Sequence, residues 1–279
     1  MRNVKIVADS SCDLYGLRSV ALSVAPMKII TAEREFVDDD TLDAAEMSDY
    51  LYRYKGKSSS SCPNTEDWLD RFGDADEVFC VTITSGLSGS YGSACAAKRI
   101  YESENEGKRV HVFDTLSAGP EISLIIEKIE ECIERDMPFD EICECVTAYM
   151  KRTGLVFMLK SVKNFANNGR ISPVVAKIVG LVGICIVGKA SEKGTLEPLH
   201  KPRGERRALE TLVSALEKEG YRGTRISIGH CQNESAVEQL KELILEKYPN
   251  AQIEAHKFRG LCSFYAEKGG LLVGFEKNI

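Results

Sequence analysis

Short apolar runs and amphipathic stretches alternate through the first half of the chain. "VKIVAD" is a continuous run rich in β-branched residues that stops at Asp9-Ser10-Ser11, and it reads as a buried strand. "TLDAAEMSDYLYRY" carries apolar residues at helical spacing behind Thr41, which is placed to cap a helix. "TEDWLDRF" repeats the device, with Thr65 as the cap and Trp68, Leu69 and Phe72 on one face. "EVFCVTIT" predicts a strand, followed by a helix from about Ser88 to Tyr101 and the strand "RVHVFDT". Pro120 stands near the start of a stripe of Ile122, Ile125, Ile126, Ile129 and Ile133, and "FDEICECVTAYMKR" is a further helix. Strands alternating with helices predict a parallel sheet covered by helices, with ligands beyond the carboxyl ends of its strands. The Asp9–Ser11 and Ser85–Ser90 turns both lie at that edge.

The texture changes after about Thr153. "GLVFML" is a strand, then come a short helix and the turn "NNGRIS". "VGICIVG", "KASEKG" and "TLEPLHK" read as an antiparallel hairpin. A helix over Gly204–Lys218 buries Ala208, Leu209, Leu212, Val213 and Leu216; "RISIGH" is a strand, "NESAVEQLKELILEKY" a helix capped by Asn233, and "AQIEAHKF" and "GGLLVGFE" are strands. The expected fold is α/β in two domains: a parallel sheet flanked by helices over residues 1–153, and a mixed α/β domain over 154–279.

Composition narrows the function. A net charge of −6 over 279 residues argues against a nucleic-acid binder, which carries a basic stripe. The longest apolar run, Ile178–Gly188, is eleven residues, too short to cross a bilayer. No export signal is read at the start, so the ten cysteines are expected as reduced thiols in a cytoplasmic protein. No C-x-x-C occurs, Cys143 and Cys145 face different sides of one helix, and the four histidines have no metal-ligand spacing, so neither metal nor cofactor is expected.

The chemistry that remains is in the loops. "TSGLSGSYGSA" joins a strand to a helix through Gly and Ser. A helix start presents free N–H groups and the positive end of its dipole, glycines admit a ligand to the backbone, and serines add donors, which suits phosphate or carboxylate. An ordinary Ser-capped turn accounts for the same residues. Gly86, Gly89 and Gly92 fit neither a P-loop nor a dinucleotide fingerprint, and Ser90 stands where a nucleophile elbow around Ser88 needs its second glycine. "KSSSSCPNTEDW" reads as a hydroxyl-rich solvated loop and "NNGRIS" as a turn bearing Arg170. "HKPRGERRALE" gathers Arg203, Arg206 and Arg207 at a helix start, where the dipole disfavours cations, so an anion or a partner is one reading and a solvated face the other.

"ADSSCDL", "SSCPNTEDW", "TSGLSGSYGSA", "NNGRIS" and "KPRGERRAL", in this order, resemble the DegV family of bacterial fatty-acid-binding proteins, which includes the acyl-binding subunit of fatty acid kinase. The resemblance runs from about residue 5 to the C-terminus. It implies one long-chain fatty acid held between two domains, its tail in a tunnel and its carboxylate gripped by hydroxyls. Residue by residue it implies Ser60 for the family's carboxylate-binding threonine, with Ser61 beside it, and Ser88 with Gly89 for the leucine-serine-glycine stretch, Ser85 sharing the role. Arg170 and Arg203 match arginines implicated in engaging a partner kinase. Glu267 falls where members carry a histidine near the ligand headgroup, a departure that sets carboxylate against carboxylate unless Glu267 is protonated, points away or is neutralised by Lys268, or the ligand itself differs. The expected activity is binding without catalysis. A serine hydrolase using Ser88 and a binder of another anionic metabolite are the alternatives.

Overall fold

A computed structural model describes residues 3–171 and 183–278. The first sheet is parallel throughout, in the order β2-β1-β6-β7, built from β1 (Val4–Asp9), β2 (Ala21–Ala25), β6 (Glu77–Thr82) and β7 (Arg109–Asp114). Its strands are near-continuous apolar runs because both faces are covered. On one face, α2 (Thr65–Phe72) and α3 (Ser90–Glu104) pack Trp68, Phe72, Ala94 and Ala97 onto Val7 and Val78. On the other, α4 (Pro120–Glu134) lays its isoleucine stripe against Ile6, Phe79 and Val81, and α5 (Phe139–Met150) adds Phe139 and Val146.

The second sheet has six strands in the order β10-β9-β8-β13-β11-β12. These are β8 (Thr153–Leu159), β9 (Ile186–Ala190), β10 (Leu196–His200), β11 (Arg225–His230), β12 (Gln252–Lys257) and β13 (Leu271–Glu276). Only β11 and β12 pair in parallel, so the sheet is mixed. Helices α7 (Glu205–Lys218) and α8 (Glu234–Lys247) cover one face with Leu209, Leu212, Leu216, Leu240 and Ile244. Helix α4 touches strands of both sheets, and the backbone of Gly274 in β13 lies so close to Glu121 N that a Cβ would come within 2.4 Å of it.

The structure adds elements that periodicity did not reveal. Ser58–Ser61, read above as a solvated loop, is strand β5, paired antiparallel with β3 (Lys28–Thr31), which also pairs with β4 (Glu35–Val37). This small sheet holds Ser60 opposite Ile29. A short helix, α9 (Gly260–Ala266), crosses back from the second sheet and places Leu261, Phe264 and Tyr265 in the core beneath the first. Caps also differ by a residue or two. Helix α1 (Ala44–Arg53) is capped by the Asp43 carboxylate rather than Thr41, whose hydroxyl donates to Asp39. Asn64, not Thr65, caps α2 in a reciprocal box with Asp67. A carboxylate or amide reaches the free N–H groups as well as a hydroxyl does, so adjacent candidates compete. Asn233 precedes α8 but makes no side-chain cap; its amide donates to Glu205 and to the Gly269 carbonyl. Residues 172–182, which include the first five residues of the long apolar run, lie outside the described residues.

Candidate functional site

A cavity of about 280 Å³ lies between the two sheets, at the small end of the range for ligand pockets. Alternate residues of β8, namely Leu155, Phe157 and Leu159, form one wall. Helix α9 supplies Leu261, Cys262, Tyr265 and Ala266, spaced so that they share one side of the helix. The carboxyl end of β6 contributes Ile83 and Thr84, and the β9–β10 hairpin closes the space with Ala190, Gly194 and Leu196. Gly194 has φ +68, and a Cβ there would lie 1.9 Å from Thr84 Oγ1, so the hairpin seats against the β6 turn only with glycine at this position.

Polar groups gather at one part of this apolar wall. Ser60 Oγ and Tyr265 OH are 2.8 Å apart. The Arg170 guanidinium lies over the Tyr265 ring, 5.4 Å from its centroid, and its Nε donates to the Leu87 carbonyl at 2.8 Å. Ser88 follows at once, with its hydroxyl accepting from Ser90 N at 3.2 Å and its own proton left to donate. Ser61, Cys62, Ser88 and Gly89 all line the cavity. Gly89 opens the first turn of α3, and its side is close to Cys62, 3.3 Å from a Cβ built there. Burial raises the Tyr265 phenol, opposed by Ser60 and Arg170, and burial likewise raises the Cys62 thiol. Both therefore remain protonated donors at neutral pH. Hydroxyl donors, a helix N-terminus and one guanidinium converge here on an otherwise apolar space, an arrangement suited to an oxyanion with an apolar tail.

The Asp9–Ser11 turn lies at the same sheet edge but is filled from within. The buried Asp9 carboxylate accepts from Ser11 N at 3.2 Å, from Ser11 Oγ, from Ile83 N at 2.9 Å and from Ser90 Oγ at 2.5 Å. Ser10 Oγ accepts from Met27 N at 3.1 Å. These hydroxyls tie β1 to β6 and α3.

The family is settled by a sequence comparison: residues 3–278 match the profile described as "Uncharacterised protein, DegV family". The chain belongs to the DegV family. It is 44% identical over 276 residues to a DegV domain-containing protein of Streptococcus pneumoniae, covering 98% of both chains. Among solved structures it is similar to a DegV family protein from Eubacterium eligens loaded with heptadecanoic acid, at 41% identity and TM-score 0.96, covering 99% of this chain and 100% of that one. It is equally similar to the Streptococcus pneumoniae Fatty Acid Kinase (Fak) B3 protein loaded with linoleic acid, at 43% identity and TM-score 0.96 over 99% of each chain.

The DegV resemblance also pointed to residues that the structure keeps apart from the cavity. Ser85 is exposed on the outer side of its turn, where its N–H donates to Asp114. Glu267 does not line the cavity. Its carboxylate turns toward α6 (Lys163–Asn167), accepting from Ser161 Oγ at 2.8 Å and Asn164 N at 3.1 Å. Burial raises its carboxyl, opposed by these hydrogen bonds. Lys268 pairs with Asp49 instead of Glu267. Arg170 and Arg203, matched above as one kind of contact, separate: Arg170 is half-buried in the cavity wall, whereas Arg203 is exposed before α7, its backbone bridging Ile184. Tyr265 was missed because α9 is buried on every side and so shows no apolar stripe. Among the described residues, no group of three His, Cys, Asp or Glu side chains is placed to hold a metal, and no helix is long and apolar enough to cross a membrane.

Proposed function

We propose that this chain binds one long-chain fatty acid in the cavity between its sheets and presents the carboxylate to a separate kinase that forms acyl phosphate. The observation that carries the reading is the cavity itself, apolar in its walls and polar where Ser60, Ser61, Ser88, Gly89, Arg170 and Tyr265 meet. Burying the methylenes of a sixteen-carbon tail, at about 0.8 kcal/mol each, offers on the order of 11 kcal/mol before the costs of ordering. The carboxylate then needs partners, since an unpaired charge in such surroundings loses several kcal/mol of solvation. Hydroxyls of Ser60 and Ser88, with those of Ser61 and Tyr265 beside them, meet that need, and Arg170 offsets the charge. Two relatives above 40% identity were solved with fatty acids, and one carries fatty acid kinase in its name.

In this reading the protein carries the acyl group and the partner catalyses. A hydrolase would need a base beside Ser88, and the partner of its hydroxyl is the Ser90 amide. Arg203, with Arg206 and Arg207 exposed beside it, forms the contact for the kinase. Mass spectrometry of ligand extracted from the purified protein, with palmitate binding isotherms, tests the first half of the proposal. A phosphorylated metabolite in place of a fatty acid would overturn it. Acyl-phosphate formation with a DegV-partnered kinase tests the second half.

A further inference from the structure

Helix α9 holds Leu261, Cys262, Tyr265 and Ala266 against the cavity, yet it is only seven residues long. A helix that short has no stability of its own, so its position is set from outside. Its N-cap residue, Arg259, makes no side-chain cap. The free N–H groups are taken by aspartate carboxyl oxygens more than two hundred residues away in sequence. Asp38 Oδ1 accepts from Gly260 N at 2.7 Å and Oδ2 from Leu261 N at 2.8 Å, while Asp13 Oδ1 accepts from Arg259 N at 2.7 Å.

Asp38 is 1% exposed and is itself fixed. Its backbone N–H donates to Met27 O at 2.8 Å, and its side chain takes a hydrogen bond from Ser10. The Arg259 guanidinium, also 1% exposed, lies 3.8 Å from Asp38 Oδ1, pairs with Asp40 at 2.9 Å and covers the Tyr15 ring. The approach requires Gly260, where a Cβ would sit 2.7 Å from Asp38 Oδ1. We infer that Asp38 is a positioning residue for the ligand headgroup: its bidentate grip on the first turn of α9 sets where Tyr265, one turn further on, meets Ser60. The inference rests on the fatty-acid reading of the cavity, and its test keeps the two separate.

The unloaded protein is prepared with 3-fluorotyrosine, and the Tyr265 signal is assigned from Tyr265→Phe. Asp38→Asn keeps one acceptor and the volume. Gly260→Ala leaves Asp38 intact but pushes the helix away, and serves if Asp38→Asn does not fold. In either folded variant the Tyr265 resonance should move or broaden while that of the remote Tyr101 stays. A stability loss with an unmoved Tyr265 resonance overturns the inference. Palmitate affinity is then measured in a double-mutant cycle. Either variant should weaken binding about tenfold, as for one lost hydrogen bond, and by less than about twofold when Tyr265 is already Phe. Fully additive losses also overturn the inference. A displaced Tyr265 signal with unchanged palmitate affinity, in either variant and in Tyr265→Phe, would leave the positioning intact and refute the headgroup reading instead.

Discussion

Two hydroxyl-rich segments meet at the carboxyl edge of the parallel sheet, and they differ in whose carboxylate they hold. At Asp9–Ser11 the acid is the protein's own: Ser11, Ser90 and the Ile83 amide surround Asp9 and leave nothing to donate outward. At Ser60–Ser61 and Ser88 the donors face a cavity, and no carboxylate of the described residues occupies them. The same chemistry is a staple in one place and a binding site in the other. What separates them is a single aspartate at the end of β1. A cluster of serines in sequence therefore says that an oxyanion is nearby without saying whether the chain supplies it.

The largest test of this contrast removes the internal acid. Asp9→Ala strands several buried donors at once and should cost about 3–5 kcal/mol of stability in urea unfolding. A loss below about 1 kcal/mol would mean that the staple does not hold the sheet edge. Next comes the open segment. Ser60→Ala with Ser88→Ala should weaken palmitate binding by about 2–4 kcal/mol, since each hydrogen bond to a charged group is worth about 1.5–3. Circular dichroism should show the fold intact. Full retention of co-purified ligand would refute the assignment.

Arg170 and Arg203 divide along the same line. Arg170→Ala should weaken palmitate binding by about 1–2 kcal/mol, the scale of a charge-assisted contact. Arg203→Ala should leave it unchanged and lower only acyl-phosphate formation with the kinase. Equal loss of palmitate affinity in both variants would put Arg203 in the pocket.

Asp13 brings in pH. Burial pushes its carboxyl up to about 8 from an ordinary value of 3.8. Between roughly pH 4 and 8 the folded chain then keeps a proton that the unfolded chain has shed, so stability falls as pH rises through that window and levels off above it. Thermal melts from pH 5 to 9 should have this downward slope, and Asp13→Asn should make it shallower. An unchanged slope would mean that Asp13 ionises freely in the fold. The smallest effect is expected at Glu267. Its carboxylate is held by Ser161 and Asn164, away from the cavity, so Glu267→Gln should leave palmitate isotherms superimposable with wild type from pH 5 to 8.

The alternation of apolar runs and amphipathic helices was enough to draw β1, β6 and β7 of the parallel sheet, though not its edge strand β2, and the six strands of the mixed one, because those elements bury one stripe or both faces and the period is visible. The strands that wall the cavity, β8 and the β9–β10 hairpin, were drawn; the two elements that bring Ser60 and Tyr265 together were not. Ser58–Ser61 has no apolar residue, and its strand character comes from pairing with β3. Residues Gly260–Ala266 are buried on every side, so no period distinguishes them from a strand or a loop. The site followed the same division. Ser60, Ser61, Ser88, Gly89 and Arg170 came from motif order, whereas Tyr265 is brought to Ser60 across 205 residues of sequence by a contact that only the assembled fold makes.

The return of α9 to the first half has a consequence for how the chain is made. Leu261, Phe264 and Tyr265 complete a core otherwise drawn mainly from the first 150 residues, and Asp13 and Asp38 wait for amides from residues 259–261. Synthesis proceeds from the N-terminus, so during translation the first sheet can form but its underside stays open, apolar surface and two carboxylates included, until residues 259–265 emerge. Contacts of such long sequence separation are slow to close. A nascent or truncated chain ending before Arg259 should therefore be a sticky, incompletely folded species rather than an autonomous N-terminal domain.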